Sequence, residues 1–422
     1  MKRKILVIGS GGREHAIAHA FNKSPNVKQV YVLPGNSGME DVASCVPIDP
    51  LDFNEIVNFC QKEKIDLVFV GPELPLSKGI ADVLKQNNIL VFGPSQKAAQ
   101  LEASKSFAKD LMADYNIPTA HYKTVFNRNE AYRYLSTHPA PIVIKADGLM
   151  AGKGVTVAMD DKQVHDAIEA IYSEDSIQSP CVIEEYLEGE EFSLMCLVHE
   201  DQIIPLPIAR DHKRAFDQDL GPNTGGMGAF CPHPLIPQTL VDEAIDKIVK
   251  PIINAMKLKG IPYTGVLYAG LMATQEGVKT IEFNVRFGDP ETEVILPRLI
   301  TPLDEVLLKL MKHESIELVI DHRACLGVVL ASRGYPGKTE KQRPILNLDR
   351  VEATIYHMGT SKHGSDYFNQ GGRVLCITTL ADTLDEAKAR VYQDLKKIDA
   401  PQCFYRQDIG AQLKSTISLI HR

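Results

Sequence analysis

The chain reads as a multidomain α/β protein with an N-terminal doubly wound α/β domain, a two-lobed α+β core and a small C-terminal α+β domain. Three observations predict this. At 422 residues the chain exceeds a single core, and three or four units of ordinary size are expected. The first hundred residues alternate short β-branched runs with amphipathic stretches, the pattern of a wound parallel sheet. Beyond them a glycine-rich loop lies between two strands, and the last hundred residues are strand-rich with one strongly striped helix. The expected boundaries are 1–101, 102–324 with a small lobe at about 123–190, and 325–422.

In the first domain the expected strands are Lys4 to Ile8, Val27 to Leu33, Leu67 to Val70 and Ile89 to Phe92. Gly9, Pro34-Gly35, Gly71-Pro72 and Gly93-Pro94 follow them, at the strand ends where open parallel sheets bind ligands. The run Gly9-Ser10-Gly11-Gly12-Arg13-Glu14-His15 leaves a strand and opens a helix, a place that favours an anion. A dinucleotide fold would need a third glycine where Glu14 stands, and a ribose-binding carboxylate where the second strand ends in Leu33-Pro34-Gly35. That reading is set aside, while close strand-to-helix packing remains an alternative to phosphate binding for these glycines.

Ser104 to Asn116 has helical spacing and Pro118 ends it. Ile142 to Leu187 then gives strand, glycine loop, strand, helix, strand. The loop Ala146-Asp147-Gly148-Leu149-Met150-Ala151-Gly152-Lys153-Gly154 re-enters a strand, so it is not a Walker A loop. A glycine flap with lysines can fold over a triphosphate, its amides and ammonium groups meeting phosphate oxygens. A plain hairpin is the competing reading. Val182 to Phe192 runs from an apolar strand into an acidic turn, where strand-edge amides suit an adenine and Glu191 suits ribose hydroxyls, although taken alone the segment reads better as a solvated acidic turn.

The sharpest signal is Lys279 to Glu291. Alternation buries Ile281, Phe283, Val285 and Phe287 and sets Glu282, Asn284 and Arg286 on the opposite face. Two hard oxygen ligands beside a guanidinium suit Mg²⁺ shared with phosphates. Near the end, Thr383 and Glu386 stand at capping-box spacing, and Ala387, Val391, Leu395 and Ile398 form one apolar stripe.

Composition narrows the function classes. The hydrophobic fraction of 44% and charged fraction of 24% are those of globular enzymes. With 54 acidic against 46 basic residues the net charge of −8 argues against a nucleic-acid partner. Eight scattered cysteines lack CxxC spacing, as expected in a reducing compartment. The basic start Lys2-Arg3-Lys4 precedes an apolar run, Ile5 to Ile8, too short for export, and no run reaches the ~20 residues of a membrane span. A cytoplasmic location and no membrane partner are expected.

Several motifs together carry a resemblance: Gly9 to His15, Pro34-Gly35-Asn36, Gly71-Pro72-Glu73, Lys145 to Val155, Asp211 to Asp217, Gly221 to Gly228 and Arg286-Phe287-Gly288-Asp289-Pro290-Glu291. The chain resembles, over nearly its whole length, the glycinamide ribonucleotide synthetase family of the ATP-grasp superfamily. That resemblance implies an ATP-grasp core and an ATP-dependent ligase joining glycine to phosphoribosylamine through a glycyl phosphate, with Mg²⁺ or Mn²⁺. It implies that Lys105 and Lys145 meet ATP phosphates and that the flap, with Gly148, Gly152, Lys153 and Gly154, covers the β and γ groups. Glu184, Glu185, Leu187 and Glu191 go to the nucleoside, and Glu282 and Asn284 to the metal. Arg286, Lys145 and Asp289 are the catalytic candidates; Gly11, Gly12, Glu73 and Asp289 are assigned to phosphoribosylamine and glycine, and Lys213 and Arg214 to a phosphate clamp. A monomer is expected.

Three positions depart from the family pattern: Met150 in the flap, Arg210 before Asp211-His212-Lys213, and Glu293, a carboxylate able to add a metal ligand. The strand Gly265 to Ala273 also offers no acidic ligand. The rival readings are a different ATP-grasp carboxylate–amine ligase and a non-catalytic nucleotide-binding module.

Overall fold

The computed structural model describes residues 2–149, 154–173 and 179–411. Met150, Gly152 and Lys153 of the flap lie outside the described residues.

The first domain is a five-stranded, wholly parallel sheet built from Arg3–Gly9, Val27–Pro34, Ser44–Cys45, Leu67–Val70 and Val91–Phe92. The third strand lies at one edge, followed by the second, first, fourth and fifth. The order reverses between the first and fourth strands, so the loops after Gly9 and after Val70 meet at the switch point. The four expected strands are present; Ser44–Cys45 is too short to give a pattern.

The Glu14 carboxylate fills much of that switch point. A Cβ on Gly71 would come within 2.1 Å of its Oε1, and the Gly11 amide donates to its Oε2 at 2.7 Å. The residue that breaks the dinucleotide fingerprint thus occupies the crevice where a pyrophosphate would sit.

The small lobe is a four-stranded antiparallel sheet in the order Tyr122–Val125, Cys181–Glu185, Ile142–Ala146, Val155–Ala158. Helices Arg128–Leu135 and Asp161–Ile171 cover it, each started by a side-chain cap, Asn127 to the Glu130 amide at 3.0 Å and Asp160 to the Gln163 amide at 2.8 Å. Ile144, Ile168, Tyr172 and Ile183 belong to a core that this lobe has to itself.

The larger lobe is built on the antiparallel order Gln202–Pro205, Glu190–His199, Thr264–Thr274, Gly277–Asn284. Here one expectation is corrected. Opposite Gly270 and Leu271 stand Glu282 and Thr280, so Ile281 is an extra, bulged residue. Thr280 is buried in its place, and Ile281 turns to the cleft between the lobes. Phe283, Val285 and Phe287 are buried as expected.

In the last sheet Ala324–Ser332 pairs on one side with Arg373–Ala381, which pairs in turn with Thr354–His357. On its other side it pairs with Gly228–Cys231, and that strand with Arg210–Asp211. Two strands from the middle of the chain therefore complete the C-terminal sheet. Helix Leu384–Leu395 starts at Thr383, whose hydroxyl accepts the Glu386 amide at 3.2 Å, and packs Ala387, Val391 and Leu395 onto the sheet.

Candidate active site

The cleft between the lobes is lined by Lys105, Lys145, Gly148, Gly154 and Glu184 on one side and by Ile281, Glu282, Asn284 and Arg286 on the other, with Glu73 at its end. Helix Lys105–Asp114 enters with Ser104 as its cap. The base of the flap is tied to this helix start by Asp147, which accepts from the Lys105 amide at 2.5 Å, from Ser106 Oγ at 2.6 Å and from Ser104 Oγ at 3.1 Å. Lys105 Nζ donates to Gly148 O at 2.8 Å, and burial lowers its pKa.

Lys145, on the small lobe, spans the cleft. Its Nζ lies 2.9 Å from Glu184 Oε1 and donates to Ile281 O at 2.9 Å, a carbonyl in the bulged stretch. The other Glu184 oxygen pairs with Lys109 Nζ at 3.0 Å, and all three side chains are at most 5% exposed. The Glu184 side chain is therefore held between two lysines at the cleft wall. Glu185 accepts the His121 amide at 3.1 Å, Leu187 lies half-buried in the following turn, and Glu191 is ion-paired with Lys213.

Among the described residues the Glu282 side chain has no hydrogen bond or ion pair. Burial alone would raise its pKa, but Lys213, Lys145, Arg286 and Lys105 outweigh that and hold it below the ordinary carboxylate value. A half-buried ionised carboxylate, next to the Asn284 amide oxygen and facing cations that demand a polyanion, is a donor set that fits Mg²⁺ or Mn²⁺ carried with a triphosphate. Strand Thr264–Thr274 supplies no further acidic side chain.

Arg286 joins the cleft to the switch point of the first domain. It pairs with Glu102 at 2.9 Å and with Glu73 at 3.5 Å, and its Nη2 reaches Asn284 Oδ1 at 3.4 Å. Against the cost of burial, Arg286 and Arg13 hold the Glu73 carboxyl below its usual range. Asp289 lies beside Gly11, where an added Cβ would be 3.6 Å from Oδ2, and is gripped by Arg373 at 2.8 Å. Of the substrate candidates, Glu73 and Arg286 line one end of the cleft, and Asp289 lies beside Gly11 at the first domain's switch point.

Three family models match the chain: the phosphoribosylglycinamide synthetase N domain over residues 3–102, the ATP-grasp (A) domain over 103–292 and the C domain over 325–412. A phosphoribosylamine–glycine ligase of Halalkalibacterium halodurans is 48% identical over 413 residues, covering 97% of this chain and 96% of that protein. One of Lactococcus lactis is 46% identical over 412 residues, covering 97% and 99%. The crystal structure of phosphoribosylamine–glycine ligase from Thermotoga maritima superposes with a TM-score of 0.84 at 33% identity, covering 96% of this chain and 100% of that one. The chain belongs to the phosphoribosylamine–glycine ligase family.

As a member of that family it is an ATP-dependent ligase that joins glycine to phosphoribosylamine in purine biosynthesis, with ATP as co-substrate and Mg²⁺. Among the described residues no helix is long and apolar enough to cross a membrane.

The structure also accounts for two of the departures from the phosphoribosylamine–glycine ligase pattern. Arg210 is ion-paired with Glu190, which also meets His233 Nε2 at 3.1 Å. Glu293 does not face the metal pair. It is fully buried against Gly12 and Met358, where a Cβ on Gly12 would fall 2.6 Å from its Oε1 and 2.8 Å from Met358 Cγ. Burial, then the nearby Asp289 charge, lifts its pKa well above the usual carboxylate range, which favours the protonated acid at this position. Close packing is thus one sufficient reason for glycine at position 12.

The paired clamp of Lys213 and Arg214 is corrected. Neighbours in an extended chain point to opposite sides. Lys213 turns to Glu191 and the cleft, while Arg214 donates to Gly221 O at 2.8 Å and faces a separate hollow beside Thr156, Arg333 and Tyr335.

Three functional neighbours escaped the sequence reading. Lys109 sits one helical turn after Lys105, a spacing that was available as a signal. Glu102 and Arg373 gave none, because their partners Arg286 and Asp289 are 184 and 84 positions away.

Proposed function

We propose that the cleft performs the ligation in two steps with the following roles. The γ-phosphoryl group of ATP passes to a carboxylate oxygen of glycine and ADP leaves. The amine of phosphoribosylamine then attacks the acyl carbon, phosphate departs, the nitrogen loses a proton and the amide is formed. Acylation by a free carboxylate is slow, and phosphorylation of its oxygen provides the leaving group.

Lys105 and Lys145 meet the phosphate oxygens, aided by flap amides from Gly148 to Gly154 including Gly152 and Lys153. The side chain of Glu184 orients Lys145, while the turn with Glu185, Leu187 and Glu191 receives the nucleoside. Glu282 and Asn284 hold the Mg²⁺ or Mn²⁺ ion, which when bound neutralises phosphate charge. Arg286 stabilises charge on the acyl phosphate, and Gly11, Gly12, Glu73 and Asp289 seat glycine and phosphoribosylamine, with Lys213 beside the phosphates. The observation that carries this reading is that Lys145 of one lobe and Glu282, Asn284 and Arg286 of the other line one cleft, bridged by the 2.9 Å bond from Lys145 to Ile281 O.

ADP release measured with each substrate omitted in turn tests it. Turnover is expected to need glycine, phosphoribosylamine and a divalent ion together; release that ignores glycine would overturn the assignment. We further infer a cytoplasmic location, since all eight cysteines are free thiols, and a monomer. Sedimentation equilibrium checks the oligomeric state.

A further inference from the structure

Among the described residues, His199, Glu200 and His313 each bring a ligand atom to within 4.8 Å of the others. His199 ends strand Glu190–His199, Glu200 begins the turn into Gln202–Pro205, and His313 follows the C-cap of helix Leu303–Met311. The Glu200 amide is fixed to Tyr263 O at 2.8 Å, which anchors the turn.

The details suit metal binding. His199 Nδ1 is 3.0 Å from Thr264 Oγ1, which leaves Nε2 pointing outward and supplies the outer partner that orients a ligating imidazole. His313 Nε2 is 3.6 Å from Glu200 Oε2, and the two imidazole centroids are 5.1 Å apart. Tetrahedral zinc with bonds of about 2.0–2.1 Å sets its ligand atoms about 3.3 Å apart. The His313 and Glu200 side chains, 44% and 52% exposed, have room to turn toward that spacing.

We propose that His199, Glu200 and His313 form a site for a divalent transition-metal ion of the zinc class, clasping the hairpin tip to the end of helix Leu303–Met311. Two imidazoles with one carboxylate select such an ion over Mg²⁺, which prefers oxygen. The site is distinct from the catalytic cleft: Glu191 and His199 lie eight steps apart on one strand, about 26 Å at the usual rise.

The test is calorimetric titration of the untagged full chain with Zn²⁺ in the presence of excess Mg²⁺ and a non-thiol reductant. One saturable equivalent is expected, accompanied by a rise in Tm. His199→Ala and His313→Ala should each weaken binding at least about tenfold and Thr264→Val about tenfold, with ligase turnover unchanged in all three. Absence of saturable Zn²⁺ binding to the parent would overturn the proposal, as would histidine variants that bind like the parent.

Discussion

Replacing Lys109 by Met tests the electrostatics of the cleft wall. The Lys109 side chain is 3% exposed, pairs with Glu184 at 3.0 Å and donates to Thr119 Oγ1 at 2.7 Å. Burial nevertheless outweighs Glu184 and lowers its pKa from 10.5 to about 8. At about 1.4 kcal/mol per pKa unit, that difference corresponds to about 3 kcal/mol against the charged form in the folded protein. The sign follows from proton counts: between pH 8 and 10.5 the unfolded chain keeps a proton that the folded chain has released, so stability rises with pH through that window. Below pH 8 this contribution is absent. Met keeps the apolar stem and cannot titrate. The stability difference, parent minus Lys109→Met, should therefore grow by about 3 kcal/mol from pH 8 to 10.5, measured by denaturant unfolding followed in parallel by two probes. A difference that stays constant over this range would refute the reasoning, because it would mean that the lysine is solvated or fully compensated by Glu184.

Glu282→Ala should lower kcat by about 10²-fold or more while circular dichroism stays that of the parent, read by ADP release. Glu293→Gln should be more stable than the parent at neutral pH. Its raised carboxyl pKa confers stability below the unfolded value that is lost as pH rises through the folded one, so the Tm gap should close on acidification below about pH 4.5. Gly12→Ala should destabilise by about 1–3 kcal/mol, since its new methyl meets Glu293 and Met358, and thermal unfolding reads the loss.

The parts of this fold that were legible in the sequence are those with local causes. The first, second and fourth strands of the opening sheet showed as β-branched runs closed by glycine or proline, the helix after Ser104 as a periodic run, and the Thr383 helix start as a capping residue. Lys105, Lys145, Glu282, Asn284 and Arg286 were placed by their motifs and do share a cleft. What escaped depends on partners distant in sequence or on register. The bulge at Ile281 is set by pairing with Gly270 and Leu271, which strict alternation cannot reveal. Likewise the lysine pair around Glu184 requires a helix from before the small lobe to meet a strand within it.

Completion of the C-terminal sheet by Gly228–Cys231 bears on how the gene can be dissected. A fragment beginning at Ala324 would uncover one edge of a wholly buried strand at Cys325 to Val328, leaving amide and carbonyl groups there unpaired, while Cys403–Phe404 still pairs with its far end. Expressed alone, such a fragment is expected to aggregate or recruit a foreign strand. One that starts before Arg210 retains its natural edge cover.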